Sequence, residues 1–445
     1  MSAELFERYR DEIEDKYREM TPKSRAMLGT AKQYVAGGVT RETCWWKPYP
    51  VFVERGEGCY LYDIDGNVFL DHNNCFTAAL LGHVHPKVVA AMNEAAPKLL
   101  GAGAATESIH QWAKILCDRF QSVDKVRFCC SGTEAVMFTF RAARAYTNKN
   151  KIMKQRGSYH GTINEVEPDM PTSSKGLPKN AAADMIYADY TNIEEIEKLV
   201  QDNKEDLAAI LVNGIWFSKE NDYLKFIKEL AHENNILLIM DEVMSFRYAL
   251  GGAQEYFNVM ADLTAFGKFI GGGGLAVGAF GGRDDIMSLF SPLEQDEPVH
   301  HSGTFSANPV TVAAGIAALN EMTPELIARL NALGGELRTG FKEAFQEMEI
   351  QGGVSGESSL TMMRIGAPAI DPRRASAPET HQEIMRLFGL SLLNKTMFTP
   401  ASGSLWALSE PMTENEIDQT VSAVKETLDE LRPLIKEATP ELILT

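Results

Sequence analysis

The segment 236–282 constrains the fold of this chain more than any other part of the sequence. Residues 236–240 are all apolar, and a short apolar run of this kind indicates a buried strand. Asp241 stands where that run ends, and Lys268 follows in a glycine-rich loop before a second apolar run at 276–280. An acid therefore ends one buried strand, and a lysine lies in a glycine-flanked loop between two others.

Short apolar runs alternate with helical stretches between residues 74 and 322. This alternation predicts an α/β fold with a mostly parallel sheet, because each helix returns the chain to the start of the next strand and covers one face of the sheet. The runs lie at 126–130, 151–155, 183–187, 208–212 and 236–240.

The chain has 445 residues, which are enough for two domains. We predict a large domain at 74–322 and a small α+β domain that combines residues 1–73 with residues 323–445. In the small domain we expect a long helix at 325–348 and a last helix at 414–431.

Composition restricts the partners of the protein. A formal net charge of −18 argues against nucleic acid or an anionic membrane surface, since both need a basic face. No run of 18 apolar residues occurs, and residues 1–23 lack the apolar core of a signal peptide, so we expect no membrane span and a cytoplasmic protein. The six cysteines include no C-x-x-C spacing, and we expect no metal site.

Lys268 and Asp241 are the residue types that a pyridoxal phosphate site requires. Ligands of open α/β sheets bind at the carboxyl ends of the strands, where both residues are expected. A lysine there can react with an aldehyde once its pKa is lowered, and a carboxylate can keep a pyridine nitrogen protonated. The alternatives are a surface lysine in a glycine loop and an acid that caps a helix.

Residues 131–133, Ser131-Gly132-Thr133, follow a predicted strand and open a predicted helix. The free amide groups and the dipole of a helix N-terminus bind anions, and a glycine lets the backbone approach closely. We assign this junction to the phosphate of the cofactor. Simple N-capping by Ser131 or Thr133 is the alternative, and the two roles are compatible because they use different amides.

In combination these motifs resemble the class III, fold type I aminotransferases, within the branch of glutamate-1-semialdehyde aminomutases and β-amino acid aminotransferases. The resemblance rests on 131–135 (Ser-Gly-Thr-Glu-Ala), on 241–243 (Asp-Glu-Val) and on Gly267-Lys268 with the glycines after it, and it runs from about Tyr34 to the end. It implies a fold type I transferase with pyridoxal 5'-phosphate as cofactor. Lys268 would form the Schiff base, and Asp241 would pair with the ring nitrogen.

The resemblance also implies roles for residues outside those motifs. Tyr159 would stack on the cofactor ring, with Val243 packed against its opposite face, while the neighbouring His160 would act as a proton relay or make a structural hydrogen bond. Thr304 would reach the phosphate of the neighbouring subunit, which makes the enzyme a homodimer. Arg41 would bind a substrate carboxylate through its guanidinium. The alternatives are a core tyrosine, a loop threonine and a solvated arginine.

Two segments depart from the family pattern. Asn213-Gly214 stands where many members have Glu-Pro, and Trp216 follows it, so we treat Asn213 and Trp216 as substrate-binding candidates, with Trp216 as an apolar wall. The segment 398–404 lacks both the arginine of some β-amino acid aminotransferases and the glutamate of the aminomutases.

The leading hypothesis is an aminotransferase that moves an amino group between a carboxylate-bearing amine, for example a β-amino acid, and a keto acid. The second is an aminomutase or a racemase, which returns the amine to the same carbon skeleton. The third is a cofactor-binding regulator without catalysis, against which Lys268 and Asp241 argue. The sequence leaves open the donor, the acceptor, the stereochemistry and the pathway.

Overall fold

The computed structural model describes residues 2–170, 173–366, 378–399 and 403–444. These residues form two compact units. The first unit contains residues up to His85 and the described residues from Ala328 onwards, and the second contains the described residues from Pro86 to Ile327. The domain boundaries that the sequence predicts, at 73/74 and 322/323, remain a prediction.

The first unit begins with two helices, three strands and a left-handed turn. All four residues of that turn have positive φ, from 51° at Cys75 to 74° at Thr77. This backbone region costs a residue with a side chain about 1–2 kcal/mol. The elements are α1 Ser2–Met20, α2 Pro22–Ala31, β1 Val53–Glu57, β2 Tyr60–Asp63, β3 Val68–Asp71 and the turn, α3 Asn74–Thr77.

The second unit is built on a seven-stranded sheet. In chain order its elements are α4 Pro86–Ala95, α5 Ser108–Arg119, β4 Lys125–Cys129, α6 Gly132–Thr147, β5 Lys151–Gln155, β6 Met185–Ala188, α7 Ile193–Asn203, β7 Leu207–Asn213, α8 Tyr223–Glu233, β8 Leu237–Asp241, α9 Gly252–Phe257, β9 Leu263–Gly267, β10 Gly278–Gly282, α10 Asp284–Met287 and α11 Pro309–Glu321.

The strands of this sheet lie in the order β4-β10-β9-β8-β7-β5-β6. Strand β10 is antiparallel to both of its neighbours, and the pairs from β9 to β6 are all parallel. The mostly parallel α/β sheet that the alternation of runs predicts is therefore confirmed.

The apolar runs are explained by burial on both faces of the sheet. In β8, Leu237 and Ile239 pack into one hydrophobic cluster, while Leu238 and Met240 pack into the other. Successive residues of a strand point to opposite faces, so a strand that is covered on both sides has to be apolar at every position. Polar residues begin where the strand ends, which brings Asp241 to the edge of the sheet.

Helix α12 Pro324–Glu347 begins in the second unit and belongs to the first unit from Ala328 onwards. The rest of the first unit consists of β11 Gly352–Ser355, β12 Leu360–Ile365, α13 Glu379–Asn394, β13 Met397–Phe398, β14 Leu405–Ala407 and α14 Glu414–Ala438. The strands form two small sheets, β1-β2-β3-β13 and β11-β12-β14. The prediction that the last helix ends at 431 is wrong, because α14 continues through Pro433 to bury Leu434 and Ile435. Among the described residues, no helix has both the length and the apolar character needed to cross a membrane.

Candidate active site

Asp241 and Lys268 follow two neighbouring parallel strands at the same edge of the sheet. Asp241 is the last residue of β8, where it pairs with Ala265 of β9. Lys268 comes directly after Gly267, the last residue of β9. The carboxyl ends of parallel strands meet at one edge, so the fold brings together the acid and the amine that the sequence singles out.

The backbone of Lys268 is strained. Its φ of 53° lies in the left-handed region, although Lys268 is the first residue of the 3-10 helix Lys268–Gly271 and follows the extended Gly267. A residue with a side chain occupies this region at a cost of about 1–3 kcal/mol, and such residues cluster at functional sites. The packing around the helix therefore holds the lysine in a conformation that its side chain alone would not favour.

The side chain of Asp241 is buried and held at both oxygens. Oδ2 lies 2.7 Å from Nδ1 of His160, and Oδ1 accepts the backbone N–H of Val243 at 3.0 Å. Both residues come from outside β8, so the carboxylate has a fixed orientation. Of the two roles that the sequence leaves open for His160, the hydrogen bond is the one the structure contains.

His160 is itself completely buried. Burial lowers the pKa of His160, and the Asp241 carboxylate opposes that shift. A neutral imidazole that donates from Nδ1 to the carboxylate has its lone pair at Nε2, and this Nε2 is buried without a hydrogen-bond partner among the described residues.

Ser131 caps the N-terminus of α6. Its Oγ accepts the N–H of Glu134 at 3.1 Å, and the carboxylate of Glu134 accepts the N–H of Cys130 at 2.6 Å. The N-capping alternative is thus present in the structure. The amides of Gly132 and Thr133 have no acceptor within the helix, as is general for a first turn, and they remain available to an anion.

Two glycines at this edge have no room for a side chain. A Cβ on Gly132 would lie 2.9 Å from Cγ2 of Val243, and one on Gly161 would lie 2.6 Å from Oγ1 of Thr133. Gly267 is closely packed as well, since a Cβ there would lie 3.3 Å from Cγ1 of Val243 and 3.5 Å from the backbone nitrogen of Gly132. The start of α6, the residue before Lys268 and the residue after the Asp241–Glu242 pair therefore converge at van der Waals distance.

The turn 157–161 closes the same edge. Ser158 and His160 are buried, whereas the side chain of Tyr159 is 56% exposed. At the start of the turn, the N–H of Gly157 donates to Asp169 at 2.8 Å. Tyr159 is thus the exposed side chain of this turn.

Asn213 and Trp216 lie at the end of the neighbouring strand β7. Asn213 pairs with Asp241 across the sheet, and its side chain accepts the N–H of Ile215 at 3.1 Å. Trp216 was predicted to be an apolar wall, but its indole N–H donates to Oγ of Ser158 at 2.7 Å. The sequence gives no signal for this hydrogen bond, because its two residues are 58 positions apart.

Glu242 is held apart from the acid beside it. Its buried carboxylate accepts the hydroxyl of Ser245 at 2.5 Å and the amides of Ala253 and Gln254, both at 3.0 Å. Burial raises the pKa of Glu242 to about 7, and the hydrogen bonds oppose that shift. Glu242 thus anchors the start of α9.

The remaining two predicted residues lie elsewhere in the fold. Thr304 is exposed in the turn that precedes α11. Arg41 belongs to the first unit, where its guanidinium lies 5.2 Å from the ring centroid of Phe76 and lines a cavity of about 630 Å³. Of the 398–404 segment, positions 400–402 lie outside the described residues. The described residues contain no group of three or more His, Cys, Asp or Glu side chains that could hold a metal ion.

Comparison with known proteins gives close relatives over nearly the whole chain. Glutamate-1-semialdehyde 2,1-aminomutase of Alkaliphilus oremlandii is 36% identical, and the match covers 92% of this chain and 99% of the relative. An omega-transaminase from Sphaerobacter thermophilus superposes with a TM-score of 0.86 at 32% identity, covering 92% of this chain and 98% of that one. A beta-phenylalanine aminotransferase from Variovorax paradoxus has a TM-score of 0.85 at 27% identity, covering 99% of each chain.

Residues 44–366 match the family model described as aminotransferase class-III. The match covers more than half of the chain and includes every element of the second unit. It confirms that the protein is an enzyme, that its fold is that of the fold type I transferases, and that its cofactor is pyridoxal phosphate. The chain belongs to the class III aminotransferase family.

Proposed function

We propose that this enzyme transfers an amino group between a carboxylate-bearing amine, for example a β-amino acid, and a keto acid. The observation that carries the proposal is the convergence of Lys268, Asp241 and the start of α6 at one edge of the sheet. An amine, an acid and an anion site are the three groups that a pyridoxal phosphate enzyme uses to hold its cofactor.

The residues at this edge fit the cofactor. The amides of Gly132 and Thr133 would hold the phosphate, with Ser131 capping the helix behind them. The Asp241 carboxylate would hold the ring nitrogen, while Tyr159 and Val243 would contact the two ring faces. When bound, the cofactor supplies an electron sink for a carbanion at the substrate.

Lys268 would carry the proton in the reaction. Its amine would hold the cofactor, and the same amine would move a proton at the substrate carbon. His160 would support Asp241 by donating from Nδ1, as it does at 2.7 Å in the structure.

An aminomutase is the second candidate function. The 36% identical relative from Alkaliphilus oremlandii is named as one, which favours it. Two observations favour the aminotransferase. The omega-transaminase from Sphaerobacter thermophilus matches the fold at 32% identity, and the segment 398–404 lacks the glutamate that the resemblance associates with aminomutases. Asn213 stands where many family members have a glutamate, and because of this difference we propose Asn213 as a substrate contact.

Supplying one substrate at a time separates the two candidates. The purified enzyme with bound cofactor is mixed with single amines, and the visible absorbance of the lysine-bound cofactor is followed. An aminotransferase bleaches this absorbance and stops after one half-reaction, until a keto acid restores it. An aminomutase or racemase turns over repeatedly on a single compound. Lys268→Ala, as the control, should show neither behaviour.

We also propose a homodimer in which Thr304 serves the site of the neighbouring subunit. The exposure of Thr304, and of Phe305 at 73%, supports this arrangement. Inactive Lys268→Ala and impaired Thr304→Ala chains are unfolded together and refolded. If Thr304 acts across the interface, hybrid dimers have one intact site, and about a quarter of wild-type activity returns. If Thr304 instead acts in the active site of its own chain, no hybrid dimer contains an intact site and no activity returns. The cytoplasmic location stays a prediction.

A further inference from the structure

The hydrogen bond between Trp216 and Ser158 joins two loops at the edge of the sheet. Trp216 lies in a 3-10 helix after β7, and Ser158 lies in the turn after β5. The indole N–H reaches the hydroxyl at 2.7 Å, and Ser158 is only 1% exposed. Because the hydroxyl is shielded from water, losing its partner would leave a buried polar group unsatisfied.

The turn that Ser158 belongs to is anchored on both sides of this residue. Before it, Gly157 donates to Asp169, whose other oxygen forms a 2.6 Å ion pair with the fully buried Lys154. After it, His160 reaches Asp241 at 2.7 Å. Tyr159 lies between these anchors, so the position of Ser158 sets the path of the backbone from the ion pair to the histidine.

Trp216 is in turn fixed to the frame of the second unit. The side chain of Asn213 caps the 3-10 helix that contains Trp216. A Cβ on Gly214 would lie 2.5 Å from Cβ of Ala253 and 2.9 Å from Cβ of Ser245. A proline at position 214 would meet these atoms, so the Asn-Gly pair that replaces Glu-Pro allows the helix to pack where it does.

We infer that Trp216 is a positioning residue, whose indole N–H fixes Ser158 and thereby places Tyr159 and His160 against the cofactor site. This inference rests on the proposed function for the meaning of that site. It assigns Trp216 a different role from the apolar wall that the sequence suggests. The residue acts through Ser158 and His160 on Asp241 and needs no contact with the substrate.

The test is a double-mutant cycle of Trp216→Phe and Ser158→Ala. Phenylalanine keeps an aromatic ring and removes the N–H, while alanine removes the acceptor. Each single variant should weaken pyridoxal phosphate binding about five- to tenfold, which corresponds to the loss of one buried hydrogen bond. The double variant should lose little more than either single variant, because both changes delete the same interaction.

A second readout uses the protein without cofactor. With ¹⁵N-labelled histidine, the ring signals of His160 are identified by their loss in His160→Asn. Trp216→Phe should shift both ring signals, because the hydrogen bond from Nδ1 to Asp241 loses its fixed geometry. This measurement does not depend on aminotransfer, so it separates a failure of the inference from a failure of the proposed function.

Trp406→Phe is the matched control. Trp406 donates its indole N–H to the carbonyl of Gly403 at 2.9 Å in the first unit. This variant should lower the melting temperature and leave the His160 signals and cofactor affinity unchanged. If Trp216→Phe behaves in the same way, its role is structural only and the inference is wrong. A Trp216→Phe variant that changes only the KM for the amine would instead indicate that Trp216 is an apolar wall of the substrate site. If that variant does not fold, Ser158→Ala decides by the same readouts.

Discussion

The carboxyl edge of the sheet in the second unit and the cavity in the first unit are built in different ways. The edge consists of backbone amides, closely packed glycines and short polar side chains held by hydrogen bonds. The cavity is lined mainly by large apolar side chains, with Arg41 over Phe76 and the left-handed turn at 74–77 beside it. We propose that the edge holds the cofactor and that the cavity, through Arg41, contributes to the choice of substrate.

The difference teaches where changes in sequence affect chemistry and where they affect selectivity. On this proposal, replacement of Asp241 or His160 at the edge should impair the reaction of every substrate. Replacement of a group that lines the cavity should alter the affinity for particular substrates and leave cofactor binding unchanged. The following predictions test this division in order of the expected effect on activity.

Asp241→Asn should have the largest effect. The amide keeps the shape of the side chain but supplies no charge to hold a protonated ring nitrogen, and we expect kcat to fall at least about a thousandfold. Single-turnover rates with a reactive amine measure the change. Glu242→Gln is the control, because it removes the acid one residue away. If kcat falls equally in both variants, the specific role of Asp241 is wrong.

His160→Phe should follow, with a loss in kcat of about a hundredfold. The aromatic ring fills the same space but cannot donate to Asp241, which accepts at 2.7 Å in the structure. His160→Asn retains a donor group and should recover part of the activity. The pH profile of the visible absorbance gives a second measurement, which should shift in the phenylalanine variant. If the wild type, His160→Phe and His160→Asn have identical pH profiles of the visible absorbance, His160 has no role in the reaction.

The sequence predicts the edge well because its constraints are local. A strand that is buried on both faces has to be apolar until it ends, so the first polar residue, Asp241, marks the edge. The crowded glycines likewise leave a recognisable pattern around Lys268 and Ser131. The sequence indicates His160 as a candidate but gives it no partner, because its hydrogen bond to Asp241 joins residues 81 positions apart.

The cavity and the Trp216 contact were beyond the reach of such local reasoning. The left-handed turn at 74–77 contains no glycine, and only Asn74 is of a type that is enriched at positive φ, so its composition does not indicate four such residues in a row. Trp216 is a bulky aromatic residue of the kind that lines apolar pockets. Only the folded arrangement of β5 and β7 shows where its N–H points.

Arg41→Ala should have a smaller effect that is specific to the substrate. If the guanidinium binds the substrate carboxylate, KM for a carboxylate-bearing amine rises about tenfold or more, as expected for the loss of a charge-assisted hydrogen bond. The KM for an amine without a carboxylate and the affinity for pyridoxal phosphate should stay the same. Arg55→Ala, which removes another exposed guanidinium stacked on an aromatic ring of the first unit, is the control. Equal KM values for both amines in the Arg41 variant would contradict the carboxylate role.

Glu242→Gln should have the smallest effect on activity and a clear effect on the pH dependence of stability. Burial raises the pKa of Glu242 to about 7 in the folded protein, above its ordinary value of 4.5. Between these two pH values the folded state binds more protons at this site than the unfolded state does. The contribution of Glu242 to the free energy of unfolding therefore falls as pH rises from 4.5 to 7, by roughly 1–3 kcal/mol.

Glutamine cannot titrate, so the variant should lack this part of the slope. Urea unfolding of the wild type and the variant at several pH values between 4.5 and 7 measures the difference. One of the two amides, Ala253 or Gln254, would face an N–H of the glutamine, and the variant should therefore be less stable at low pH. A slope equal to that of the wild type would mean that Glu242 stays ionised throughout the range, and that the amides at the start of α9 outweigh its burial.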